Sequence, residues 1–141
     1  MSCVSHPAAL PDLFLDRSLG GIKVPALLRE AGLRLVTLSE HYGVPADENV
    51  ADTEWLELAG QMGWTVFMKD TRIRFNPAER EAVKQHTVRC FCLASQNLSG
   101  AAMAARFLDN LPAITHACAE PGPFIYAVHQ NRIERLAIRE S

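Results

Sequence analysis

The sequence has 141 residues, of which 48% are hydrophobic and 21% are charged, so it can build one packed core but is too short for two comfortable domains. Its 14 Lys and Arg against 16 Asp and Glu give a formal net charge of -2, which excludes the global positive field of a nucleic-acid coat protein. No apolar stretch approaches the roughly 18 to 20 residues of a membrane span, and residues 1–10 lack the basic segment of a secretory signal. We therefore expect one domain over residues 1–141, with no membrane contact, in the cytoplasm.

Apolar runs and helical periodicity alternate along the first two thirds of the chain. The predicted strands cover residues 12–16, 33–38, 64–68 and 88–93, and the predicted helices cover residues 22–31, 52–62 and 77–85. We expect residues 39–51 to form an irregular acidic loop. The alternation predicts an α/β fold with a mostly parallel sheet and helices on both faces.

The last third of the chain has a different pattern. Ser99 is a good N-cap for an Ala-rich helix over residues 100–110, and Pro112 is expected to break it before a second helix over residues 113–119. Residues 124–128 and 133–138 are typical of a terminal hairpin. The predicted domain therefore has a motif-bearing core at about 12–93, followed by a helix and hairpin at about 99–138.

Four cysteines are present, at Cys3, Cys90, Cys92 and Cys118. Cys90 and Cys92 alternate within a predicted strand, so they share one face and are expected to pack there as small apolar side chains. A zinc site would need a second pair of ligands at close spacing, and the sequence has none.

Carboxylates end two of the predicted strands. Asp16 ends the first predicted strand and Asp70 follows the third, while Asp52 opens the helix after the second. If the second and third strands flank the first, all three carboxylates meet at the edge where open α/β sheets bind ligands. An all-oxygen cluster is the ligand set that Mg²⁺ or Mn²⁺ prefers, and such an ion can promote hydrolysis of a phosphodiester.

Structural roles compete with this interpretation at individual positions. Asp52 also fits a helix N-cap, and Asp70 also fits the beginning of a turn. Glu40 lies just beyond the second strand on the same predicted edge and is a candidate fourth carboxylate.

Cationic and hydroxyl side chains adjoin the acids although the whole chain is slightly acidic. The candidate substrate-binding residues are Arg17, Lys69, Thr71, Arg72 and Arg74. Arginine can bind a phosphate through two parallel hydrogen bonds, so this set is suited to a phosphodiester.

With these motifs in place, the sequence resembles the PIN-like ribonucleases, particularly the VapC-type toxins of bacterial toxin–antitoxin pairs. The matching stretches are residues 14–19, 51–56 and 63–74. The resemblance implies a three-layer α/β/α PIN-like fold, Mg²⁺ held by Asp16, Asp52 and Asp70 with Glu40 as an addition, RNA as substrate and an antitoxin protein as partner. The typical family has its middle acid within an early helix, so the choice between Asp52 and Glu40 stays open.

Two alternatives remain. A catalytically idle PIN-like binding module would keep the fold without binding metal. A receiver-type phospho-signalling domain would use Asp70 as phosphate acceptor, but it needs adjacent acids after the first strand and a lysine after the last parallel strand. Here Arg17 follows Asp16, and residues 92–95 contain no lysine. The Ala-rich helix is expected to be buried in the core, and the alternative is that it offers an apolar face for a protein partner or for a second copy in a homodimer.

Overall fold

The structure is a computed structural model that describes residues 5–69, 71–95 and 97–138, with the backbone alone at positions 72 and 74. Its strands are β1 (Leu13–Leu15), β2 (Leu35–Thr37), β3 (Thr65–Met68), β4 (Arg89–Leu93), β5 (Phe124–Val128) and β6 (Ile133–Leu136). Its α-helices are α1 (Lys23–Glu30), α2 (Leu38–Tyr42), α3 (Asp52–Met62), α4 (Pro77–Gln85), α5 (Gly100–Asp109) and α6 (Leu111–Ala117). Among the described residues, no helix combines the length and apolar character needed to cross a membrane.

The six strands of the described residues belong to one sheet, in the order β2-β1-β3-β4-β5-β6. Neighbouring strands are parallel except β5 and β6, which form the predicted antiparallel hairpin. The prediction of a mostly parallel α/β sheet is confirmed. Because β2 and β3 lie on opposite sides of β1, the order reverses there, and a crevice is expected at the carboxyl ends of β1 and β3.

Alternate residues of the central strands supply two separate cores, so the molecule has three layers. Leu13, Leu15 and Phe67 pack with residues of α1, α5 and α6 on one face. Phe14, Val66 and Met68 pack with residues of α3 and α4 on the other. Buried Cys90 and Cys92 belong to this second core, which confirms the predicted shared face.

Local sequence signals explain where the helices begin and end. Asn76 and Ser99 accept backbone N–H groups as N-caps of α4 and α5, as the strong cap preference of Asn and Ser predicts. Gly63 ends α3 in the left-handed region at φ 71°, where a side chain would be strained. Pro112 lies in the first turn of α6, so α6 begins at Leu111 and not at the predicted residue 113.

The predicted irregular loop over residues 39–51 is wrong. The segment contains α2 and a 3₁₀ turn over Ala46–Asn49. The physical reason is a capping box: the Thr37 hydroxyl accepts from the N–H of Glu40 at 3.2 Å, and Glu40 Oε1 accepts from the N–H of Thr37 at 2.9 Å. Two reciprocal bonds satisfy backbone donors at the start of a five-residue helix that has little intrinsic stability.

Candidate active site

Asp16 occupies the crevice that the strand order creates. It directly follows β1, and its backbone N–H donates to the carbonyl of Phe67 on β3 at 3.3 Å, so the chain is fixed at the junction of the two strands. The residue is only 6% exposed. Its carboxylate accepts from the backbone N–H of Ser18 at 3.2 Å and from the Ser18 hydroxyl, which caps the 3₁₀ turn over Arg17–Leu19. A carboxyl group is therefore held nearly out of solvent at a ligand-binding edge.

The surroundings of Asp16 disfavour its negative charge. Burial raises the pKa of the Asp16 carboxyl to about 6, although the Ser18 hydroxyl donates to it and lowers the pKa. The carboxylate of Asp52 raises this pKa further, and the Arg17 cation opposes it only weakly. Bound cations favour the ionised form of such a group, and shifts of this kind are concentrated at functional sites.

Asp52 reaches the same crevice from the N-terminus of α3, which packs on the sheet face that carries Phe14. The predicted helix bounds 52–62 are confirmed, but the N-cap interpretation of Asp52 is wrong because Ala51 holds that position and Asp52 is the first helical residue. The Asp52 carboxylate accepts instead from Nε1 of Trp55 at 2.9 Å. A carboxylate at this end also interacts favourably with the helix dipole.

The Arg17 side chain connects the segment after β1, which carries Asp16, to the segment before α3, which carries Asp52. Its Nη2 atom donates to the carbonyl of Asp47 at 3.0 Å and to the carbonyl of Val50 at 2.7 Å. These carbonyls belong to the segment that leads into α3, so a side chain next to Asp16 anchors the backbone before Asp52.

A pocket of about 440 Å³ lies between these groups. Its described lining residues are Asp16, Arg17, Ser18, Asp52, Met68, Ile73, Asn76 and Glu79. The structure therefore brings Asp16, Arg17 and Asp52 to one cavity, as the strand-end argument predicts.

Asn76 and Glu79 line this pocket but are absent from the predicted site. Asn76 Oδ1 accepts the backbone N–H of Glu79 at 3.1 Å and so begins α4. The order of elements in the sequence could have indicated these two residues. Because α4 follows β3, its N-terminus lies at the same sheet edge as the N-terminus of α3.

The other predicted site residues have varied positions. Glu40 does not line the pocket; its two carboxylate oxygens accept from Arg29 at 2.6 and 2.8 Å, and Arg29 holds the pKa of Glu40 below its ordinary value. The backbone N–H of Lys69 donates to Ser18 Oγ at 3.0 Å, and Thr71 begins a 3₁₀ turn over Thr71–Phe75. Asp70 and the side chains of Arg72 and Arg74 lie outside the described residues.

The donor set of the pocket fits a hard divalent cation. The residues that the structure describes include no group of three His, Cys, Asp or Glu side chains arranged to hold a metal. Mg²⁺ does not need such a group, since one or two carboxylates, water and substrate phosphate oxygens commonly complete its shell. Asp16 and Asp52 supply two carboxylates, and burial together with the charge of Asp52 raises the pKa of Asp16, an effect that a bound cation would oppose.

Comparison with known proteins decides the family. The family described as "PIN like domain" matches residues 11–95, which include β1 to β4 and the pocket edge. The chain belongs to the PIN-like domain family. This confirms the predicted resemblance and the three-layer α/β/α fold, and it sets aside the receiver-type alternative.

This PIN-like chain is also similar to a curated protein. It is 43% identical over 129 residues to "Putative ribonuclease VapC45" of Mycobacterium tuberculosis (strain H37Rv), an alignment that covers 92% of this chain and 94% of that protein. No solved structure matches the chain significantly.

Proposed function

We propose that this protein is a Mg²⁺- or Mn²⁺-dependent endoribonuclease that acts as the toxin of a toxin–antitoxin pair. The observation that carries the proposal is the buried carboxyl of Asp16, which shares a pocket with Asp52 at the switch point of the sheet. Membership of the PIN-like family and 43% identity to a protein named as a ribonuclease support RNA as the substrate.

Asp16 and Asp52 would hold the cation, and the proposal extends the same role to Asp70. Asp52 is preferred over Glu40 as the middle ligand because Asp52 lines the pocket, whereas Arg29 engages both oxygens of Glu40. When bound, the cation would neutralise charge on the phosphodiester and lower the pKa of a water, so that the water loses a proton to solvent more readily and becomes a better nucleophile. Glu40 is assigned to the capping of α2.

The chain's own residues would orient the substrate. Arg17 lines the pocket while two backbone carbonyls fix its Nη2 atom, so its positive charge is held in place beside Asp16. A fixed guanidinium binds a phosphate with little loss of side-chain entropy. The proposed substrate-binding set is Arg17, Lys69, Thr71, Arg72 and Arg74.

A protein partner is part of the proposal. A cognate antitoxin would silence the nuclease in the cytoplasm by covering the pocket edge with a basic or apolar segment. The helix α5 buries Met103 and Phe107 in the core and leaves Ala101 and Ala105 exposed. In a homodimer, a second copy would cover this exposed alanine face.

The test is cleavage of a panel of end-labelled RNAs by purified protein, with Mg²⁺ or Mn²⁺ and with excess chelator. We expect cleavage only with the cation, and a loss of at least about 100-fold in Asp16→Asn and Asp52→Asn, which each remove one charge at nearly constant volume. Glu48→Gln is the matched control because exposed Glu48 precedes α3 but does not line the pocket.

The outcomes separate the alternatives. Equal cleavage in chelator would contradict the metal mechanism, and full activity in either Asn variant would contradict the role of that residue. No cleavage of any RNA by a folded protein that binds Mn²⁺ would contradict the nuclease proposal, and no Mn²⁺ binding at all would favour the idle binding module.

A further inference from the structure

Trp55 directly contacts the candidate metal ligand Asp52. Its side chain is completely buried, and its Nε1–H donates to Asp52 Oδ1 at 2.9 Å. The two residues are three positions apart on α3, so they lie on neighbouring turns of one helix face. A buried indole N–H requires an acceptor, and this carboxylate provides it.

A stack of three rings holds Trp55 against β1, the strand that Asp16 directly follows. The Phe14 ring lies 5.4 Å from Trp55, with an interplanar angle of 25°, and 5.7 Å from Trp64, with an angle of 10°. Phe14 belongs to β1 and is completely buried. The position of the Trp55 indole is therefore fixed relative to the strand that presents Asp16.

The hydrogen bond limits how the Asp52 side chain can rotate. An exposed carboxylate at a helix terminus can populate several rotamers, and fixing one of them before a ligand arrives lowers the entropy lost on binding. The bond uses one oxygen, Oδ1, and the carboxylate retains a second oxygen for another ligand. Hydrogen bonds from neighbouring groups to ligating side chains typically change metal affinity by about 10- to 100-fold.

We propose that Trp55 is a positioning residue for the proposed divalent-cation site: its indole N–H holds the Asp52 carboxylate toward the pocket that Asp16 lines. The inference rests on the proposed function, because it concerns the same site. It also assigns a measurable signal to that site, since the bond makes the Trp55 indole resonance sensitive to the charge on Asp52.

The first experiment compares Trp55→Phe with Trp64→Phe. Both variants replace one indole of the Phe14 stack with a smaller phenyl ring, but only Trp55→Phe removes a hydrogen-bond donor to Asp52. Calorimetric titration with Mn²⁺ should give about 10-fold weaker binding for Trp55→Phe and less than about 2-fold for Trp64→Phe. Equal affinities in the wild type and a folded Trp55→Phe variant would overturn the inference.

The second experiment uses the wild-type protein and so does not depend on a variant that folds. The chain has two tryptophans, and the ¹H–¹⁵N spectrum should show two indole signals, assigned through Trp64→Phe. Titration with Mg²⁺ should shift the Trp55 signal and leave the Trp64 signal nearly unchanged, and Asp52→Asn should abolish the shift. A Trp55 signal that ignores saturating Mg²⁺ would overturn the inference.

Failure of the inference is distinct from failure of the proposed function. If the wild type binds Mn²⁺ and cleaves RNA but neither Trp55 readout responds, only the positioning role is wrong. If the wild type binds no divalent cation, the proposed function is wrong and the inference is overturned with it.

Discussion

Asp16 and Asp52 line one pocket, although Asp16 follows the first strand of the sheet and Asp52 begins a helix that packs on the sheet face carrying Phe14. Burial is the main reason that the pKa of Asp16 is raised to about 6, and the nearby charge of Asp52 adds to the effect. Two acids in this relation favour a bound cation, because it compensates both the repulsion between them and the lost hydration of Asp16.

The free energy of unfolding should depend on the ionisation of Asp16. Its pKa rises from 3.8 in the unfolded chain to about 6 on folding, so its contribution is fully present below about pH 4 and is lost as pH rises through 6. The change corresponds to roughly 3 kcal/mol at neutral pH. In chelator, Asp16→Asn should therefore gain stability relative to the wild type between pH 4.5 and pH 7.5, as measured by thermal melts.

Glu48→Gln is the control for this series, because it also removes one negative charge but from an exposed position. Added Mn²⁺ should raise the melting temperature of the wild type at pH 7.5 and have little effect on Asp16→Asn. An Asp16→Asn variant that is less stable than the wild type at pH 7.5 in chelator would indicate a structural role for this carboxylate.

The Ser18 hydroxyl should determine how strongly kcat/KM for RNA falls at acidic pH. Its hydroxyl donates to Asp16 and lowers the pKa of that carboxyl, so Ser18→Ala should raise this pKa further. We expect kcat/KM for RNA to fall about tenfold at pH 6 and by less at pH 8, because more of Asp16 is ionised at the higher pH. Ser18→Thr keeps the hydroxyl and should restore most of the activity at pH 6. A uniform loss at both pH values would contradict the electrostatic explanation.

Antitoxin binding and metal binding should compete. A basic antitoxin segment that pairs with Asp16 would displace the cation, and the coupling must be equal in both directions. We expect the affinity for the product of the adjacent reading frame to weaken as Mg²⁺ rises, and to lose this dependence in Asp16→Asn. An affinity that ignores both the ion and the substitution would exclude this edge as the inhibitory surface.

The sequence predicts most of the sheet because its strands are short, buried apolar runs separated by well-marked helices. The helix α4 is predicted with its observed bounds, since Pro77 in its first turn indicates the N-terminus. The helix α2 is missed because its five residues are too few for a periodic pattern. The sequence contains the Thr37 and Glu40 capping box, but the position of Glu40 beyond the second strand favours a ligand role instead.

The site is predicted only in outline, for a related reason. Strand order alone indicates which segments meet, so it brings Asp16 and Asp52 to the same edge. It does not show that Asp52 bonds to Trp55, because a tryptophan on an apolar helix face is equally typical of a core residue with no link to the site. The role of Arg17 as an anchor for the segment before α3 depends on distant carbonyls that no local pattern indicates.

The most direct test of the central claim is a crystal structure of the wild-type protein grown with Mn²⁺, with anomalous diffraction recorded at the manganese absorption edge. The account predicts an anomalous peak in the pocket, within about 2.0 to 2.3 Å of carboxylate oxygens of both Asp16 and Asp52. The peak should be absent from crystals of Asp16→Asn grown in the same way. A wild-type crystal with Mn²⁺ bound only elsewhere, or with none in this pocket at saturating concentration, would contradict the account.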